Sequence, residues 1–127
     1  MVKAIEAARK AARRAQEATY EGVCTIVEYR DVTDEKTRLT SQVEVTVIEN
    51  QPCKLSFESQ ATAVQTQTAA AISQSVKLFL APEIQIRENS KLVVTQNGLT
   101  EEYSASGPPA IYATHQEVCL ELFRGWS

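Results

Sequence analysis

The side chains here with the strongest coordinating or nucleophilic chemistry are Cys24, Cys53, Cys119 and the single histidine, His115. A structural zinc site takes four such ligands, so all four would have to converge from distant segments, with no CxxC pair or second histidine to seed the site. Nucleophilic catalysis needs a base beside a serine or cysteine, and His115 lies in no recognisable nucleophile motif. Gly22, Gly98, Gly107 and Gly125 are too scattered for a phosphate loop or a dinucleotide fingerprint. The three cysteines, widely spaced and each in an apparent strand, read as reduced thiols filling small apolar sites. The sequence predicts no enzyme, no bound metal and no cofactor.

What remains is a scaffold and its surfaces. A chain of 127 residues and 14.0 kDa fits one domain. With 43% hydrophobic and 23% charged residues, it has the balance of a folded globular chain. No stretch approaches the roughly 20 apolar residues of a membrane helix, and residues 1–6 lack a signal peptide's apolar core, which predicts no membrane association and a cytoplasmic site of synthesis. The net charge of −3 excludes the chain as a whole as a sequence-independent nucleic-acid binder. That charge is unevenly spread. Residues 1–40 carry eight basic against seven acidic side chains, and residues 41–127 carry five against nine.

Residues 3–18 are alanine-rich, without glycine or proline, and predict a helix. Residues 1–20 are taken as this basic helix and 21–127 as the second part of the chain. The helix has an apolar stripe of Ala4, Ile5, Ala8, Ala12 and Ala15, and Arg9, Lys10, Arg13 and Arg14 make it a candidate partner-contact element. Two placements stay open: lying on its own domain, or projecting as an arm whose small face allows close approach and whose basic face meets an acidic surface.

From Gly22 the period changes to two. Val23, Thr25, Val27 and Tyr29 alternate with Cys24, Ile26, Glu28 and Arg30. Residues 31–41 read as a solvated turn, Val43, Val45 and Val47 as a second alternation, and Asn50-Gln51-Pro52 as an interruption before a short strand at Cys53, Leu55 and Phe57. Residues 59–75 carry no charge, glycine or proline. They are assigned to a long neutral loop, with a helix through Ile72, Val76, Phe79 and Leu80 as the competitor. Residues 76–81 read as a central strand buried on both faces, and Ile84 and Ile86 as its continuation before a turn at 88–90. Asn97-Gly98 marks a hairpin between 91–96 and 99–104, Gly107-Pro108-Pro109 is a rigid connection, and Val118, Leu120 and Leu122 lie on the last strand. The predicted fold class is mainly β: a small antiparallel β-barrel with an N-terminal α-helix and one long inter-strand loop.

Several segments, PCKLSF at 52–57, SVKLFLAPEIQI at 75–86, VTQNG at 94–98 and SGPPAIYATHQEVCLELFRGW at 106–126, together resemble the head-tail connector proteins of long-tailed bacteriophages and of prophages in Gram-positive bacteria. These are also called stopper, head-closure or XkdH-like minor capsid proteins. The resemblance spans about residues 20–126, and the N-terminal helix is its least matched part. It implies a virion protein at the head-tail junction, assembled in the host cytoplasm. There a β-barrel subunit, which can be a monomer in solution, forms a homo-oligomeric ring beneath the portal and adaptor, closes the DNA-filled head and accepts the tail or tail-completion protein.

The resemblance also implies that a loop between two barrel strands reaches into the channel. By position this is 59–75, with Gln60, Thr62, Gln65, Thr66, Gln67 and Thr68 as channel-gating residues; a disordered surface loop is the alternative. A neutral loop and an acidic barrel would let DNA pass without sequence-specific binding. Tyr112 and His115 are assigned to a ring or partner interface, which a packed barrel corner would explain equally. The rival functions are a tail-completion protein at the same junction and an OB-like nucleic-acid-binding barrel, which would need a basic groove with stacking aromatics.

Overall fold

A computed structural model describes residues 2–61 and 72–126 of the chain. The alanine-rich segment forms α1 (Val2–Glu17), which contains no buried residue. It ends where Thr19 turns its hydroxyl back onto the Gln16 carbonyl, 2.6 Å away. The chain then enters β1 (Gly22–Thr33). A Cβ at Gly22 would sit 3.1 Å from the Thr95 carbonyl oxygen and 3.3 Å from that of Cys53, so only glycine lets the three backbones approach this closely.

Six more strands follow: β2 (Thr40–Ala61), β3 (Ile72–Leu80), β4 (Lys91–Gln96), β5 (Leu99–Ala105), β6 (Ala110–Ile111) and β7 (Gln116–Leu122). All pairings are antiparallel. The order is β3-β2-β1-β4-β5-β7-β6, and β3 also pairs with β7, so six strands close into a ring of hydrogen bonds. The mainly β, antiparallel architecture with one N-terminal helix is as the sequence predicts. Closure follows from the alternation: one residue in two faces inward, and Cys24, Ile26, Cys53, Leu55, Leu78, Leu80, Leu92, Val94, Tyr103, Val118 and Leu120 meet as one core. At the β4–β5 hairpin, Asn97 and Gly98 both take positive φ, 54° and 77°, the pair of conformations the tight turn requires.

Several boundaries differ from the sequence reading. The turn expected at 31–41 narrows to 34–39, because β1 and β2 stay paired out to Thr33 and Thr40. Asn50-Gln51-Pro52 does not end a strand. Asn50 adopts a φ of 53°, and β2 runs on, with Gln51 and Pro52 opposite Cys24 and Val23. The loop expected at 59–75 begins and ends as strand, since Ser59, Gln60 and Ala61 pair with Gln74, Ser73 and Ile72. β3 is buried on one face only, through Leu78 and Leu80, while Val76, Lys77 and Phe79 are half-buried. Ile84 and Ile86 lie in an irregular connection, where they pack against the core without forming a strand.

The ring sends two-stranded ribbons out in opposite directions. Beyond Val27, which pairs with Lys91 of β4, residues 28–33 of β1 pair only with 40–45 of β2. At the other end of β2, residues 57–61 pair with β3 beyond the reach of β1, which stops at Cys53. Helix α1 enters the sheet at this second end, through Gly22.

Candidate functional site

Among the described residues, the surfaces left uncovered include α1, the β1–β2 arm and an aromatic corner near His115. On α1 the half-buried residues are Arg13, Gln16 and Glu17, while the stripe of Ala4, Ile5, Ala8, Ala12 and Ala15 is exposed. Of the two placements left open, the projecting one describes the helix. It is held at its base by Arg13, whose guanidinium bonds Glu83 at 2.6 Å and Glu17 at 3.1 Å. The Arg13 bond holds the Glu83 carboxyl below its usual range. Arg9, Lys10 and Arg14, the other predicted contact residues, make no ion pair among the described residues and are exposed.

The structure brings Tyr112 and His115 together. Their rings stack at 5.0 Å with 20° between planes, and the Tyr112 N–H donates to the His115 carbonyl at 2.8 Å. The Phe79 ring meets the imidazole edge-on at 5.7 Å. His115 Nε2 lies 2.9 Å from the Glu117 carboxylate and Nδ1 lies 2.9 Å from the Thr114 hydroxyl, so both ring nitrogens are engaged. The arrangement fixes the imidazole and props Tyr112, 51% exposed, as an aromatic knob beside β3 and β7. A hydroxyl, an imidazole and a carboxylate in line have the makings of a proton relay, but none of the three lines the clefts of about 760 and 540 Å³ found elsewhere on the surface.

Of the predicted gating residues, Gln60 sits in β2 opposite Ser73. Thr62, Gln65, Thr66, Gln67 and Thr68 lie outside the described residues. Cys24 and Cys53 are fully buried, and Cys119, expected in a small apolar site, is exposed on the outer face of β7. A hydrogen bond with Cys53, with burial added, holds the Cys24 thiol well above its usual range, so this thiol stays protonated. Among the described residues, no group of three or more His, Cys, Asp or Glu side chains could hold a metal ion. Among those residues, too, no helix is long and apolar enough to cross a membrane.

One cluster was not visible in the sequence. Lys91, 8% exposed, lies on the outer face of β4, its Nζ donating to Glu44 at 2.9 and 3.2 Å and lying 3.4 Å from Glu102. The same ammonium is 5.4 Å from the Phe123 ring centre and 5.8 Å from that of Trp126. Trp126 stacks on Tyr29 at 4.8 Å with 5° between planes, meets the Phe123 ring at 4.9 Å, and donates its indole N–H to Glu44 at 3.2 Å. The segment after β7 thus braces the root of the arm. A cleft of about 760 Å³ lies beside this brace, with Arg30, Arg87, Arg124 and Glu121 in its walls. Two of those arginines are already matched by Glu28, at 2.7 and 3.9 Å.

Hydrogen bonds from Lys91, first, and from Trp126 hold the Glu44 carboxyl below its ordinary value of 4.5. The folded pKa is the lower one, so stability from this link is complete above about pH 4.5 and is lost as pH falls through the folded value. Trp126 is the sole tryptophan. Its fluorescence should hold steady down to that pH and then change on further acidification, and Glu44→Gln should abolish the change. The same acid transition in Glu44→Gln would show that another group governs the brace.

Among solved structures, the chain is similar to the phage-like element PBSX protein xkdH from Bacillus subtilis. The identity is 16% and the TM-score 0.49, over 82% of this chain and 96% of that one. No family model and no curated protein matches the chain.

Proposed function

We propose that the protein is a structural subunit of a phage virion that acts by binding alone. In this reading, copies form a ring at the head-tail junction, below the portal or adaptor, which closes the DNA-filled head and offers the tail its attachment site. The sequence resemblance over residues 20–126 supplies the class. The observation that carries the reading is the layout of the described residues: a helix with no buried residue, and two ribbons leaving a closed strand ring at opposite ends. A rigid body with projecting arms suits an assembly subunit, because each copy can dock its neighbours without giving up its own core.

Two further features support it. Residues 41–127, which build most of the ring, carry an excess of carboxylates, and such a surface repels a passing polyanion. The β2–β3 ribbon is the element this reading directs at the channel, and the Tyr112–His115 corner is its second contact surface.

The experiment is electron microscopy of a lysate from the parent phage or prophage with this gene deleted, scoring heads for DNA and for attached tails. Emptied or leaking heads beside free, complete tails are expected. Filled heads carrying normal tails would overturn the assignment.

A further inference from the structure

We propose that α1 is a swinging arm with two settings, latched and free, and that the Arg13–Glu83 ion pair sets the balance between them. This conformational device does not rest on the virion reading and is tested apart from it.

Little else holds the helix. Residues 2–12, all of the helix ahead of Arg13, are exposed and make a lever about 16 Å long. Among the described residues no extensive packing joins α1 to a strand of the ring. The helix meets the rest of the chain at its last turn, through half-buried Arg13, Gln16 and Glu17 and then Tyr20. Gly22, boxed in by the Thr95 and Cys53 carbonyls, is a fixed point. The N–H groups of Ala18, Thr19 and Tyr20 bond back to the carbonyls of Arg14, Gln16 and Glu17, so these backbone groups travel with the helix. The swivel is then the short step from Tyr20 to Gly22.

The latch itself is weak. The Arg13 and Glu83 side chains are 33% and 59% exposed, so the pair works in water, where an ion pair favours its closed geometry by about fivefold at most. Arg13 also keeps a partner when the latch opens. Its Nε bonds Glu17 on the same helix face at 3.1 Å while its Nη2 bonds Glu83 at 2.6 Å. Breaking the second bond leaves the guanidinium with Glu17 and returns Glu83 to solvent, so the free setting strands no charge. Both settings are therefore populated, with at most about five latched copies for each free one. A partner that takes only the free helix loses about sixfold in affinity at most, because that setting already exists in the lone copy.

The test measures distances between two spin labels on the full chain by pulsed electron paramagnetic resonance. Cys119 is an exposed native thiol, and Cys24 and Cys53 are buried, so one added cysteine, Ala7→Cys on the exposed lever, completes the pair of labels. At low ionic strength the distances should form a sharp latched peak over a broad free background. Glu83→Gln or Arg13→Gln should remove the peak, and the double substitution should do no more than either alone. Raising the salt to about 0.5 M should at least halve the ratio of latched to free. Glu17→Gln takes away the alternative partner and should keep or enlarge the peak. Circular dichroism of each variant should match the parent, since none of these side chains is in the core. A single sharp distance in the parent chain would show that there is no free setting. A peak that survives Glu83→Gln would show that packing at Tyr20, rather than the ion pair, fixes the helix, and a peak lost in Glu17→Gln would show that the helix end needs Glu17 for its own structure. Each of these results would overturn the latch, and none of them bears on heads and tails in the deletion lysate.

Discussion

Gln116→Leu should lower the unfolding free energy by about 3 kcal/mol, from the loss of two hydrogen bonds to backbone acceptors, one buried and one half-buried, at roughly 1–3 kcal/mol each. Gln116 is 1% exposed at the start of β7. Its amide donates to the Ala81 carbonyl at 2.9 Å and to the Ile84 carbonyl at 2.6 Å, both in the irregular connection between β3 and β4. Leucine fills nearly the same volume, so the change isolates the polar loss. Urea unfolding should show an earlier midpoint with an unchanged slope. A loss below about 1 kcal/mol would mean that water or a shifted backbone supplies the missing donors.

The consequence reaches the base of α1. The connection held by Gln116 carries Glu83, the residue that anchors Arg13 and with it the base of α1. A loosened connection would leave the helix direction less defined. Gln116 and the Arg13–Glu83 pair thus act on one connection, and the variant should loosen both.

The strands were legible because alternation reports a half-buried sheet directly, as at Cys24 and Ile26 in β1 and at Val118 and Leu120 in β7. Asn97-Gly98 gave its hairpin for a reason equally local. What composition misjudged was continuity. Asn50-Gln51-Pro52 looks like a break, yet β3 begins to pair with β2 only at Cys53, so the proline sits where that edge of β2 is open, and a bulge absorbs the rest. Likewise 59–61 and 72–74 have weak apolar content but are held as strand by pairing with each other. The Lys91 cluster stayed hidden because period two assigns a face to each side chain without saying which distant segment will cover it. A lysine heading a buried strand, with Phe123 and Trp126 left over near the end of the sequence, was the available signal. The helix question was settled by tertiary geometry, since an alanine stripe looks the same on a core and in solvent.

Trp126→Ala should cost about 2 kcal/mol, less than the 3–5 kcal/mol typical of a fully buried aromatic because this ring is only half-buried. The loss should also be local in a telling way. The indole stacks on Tyr29 and donates to Glu44, one on each strand of the arm root, so removing it frees both strands where they leave the ring. Backbone amides of residues 28–33, which have no other strand beside them, should exchange faster with solvent, while those of β4 and β7 keep their protection. Trp126→Phe separates the two contributions: it keeps an aromatic face for Tyr29 and loses the N–H to Glu44. Partial recovery of stability with full recovery of arm protection would assign the rigidity of the arm to stacking. Unchanged exchange at 28–33 in Trp126→Ala would mean that the ribbon holds its shape unaided, and that the segment after β7 contributes stability without bracing the arm.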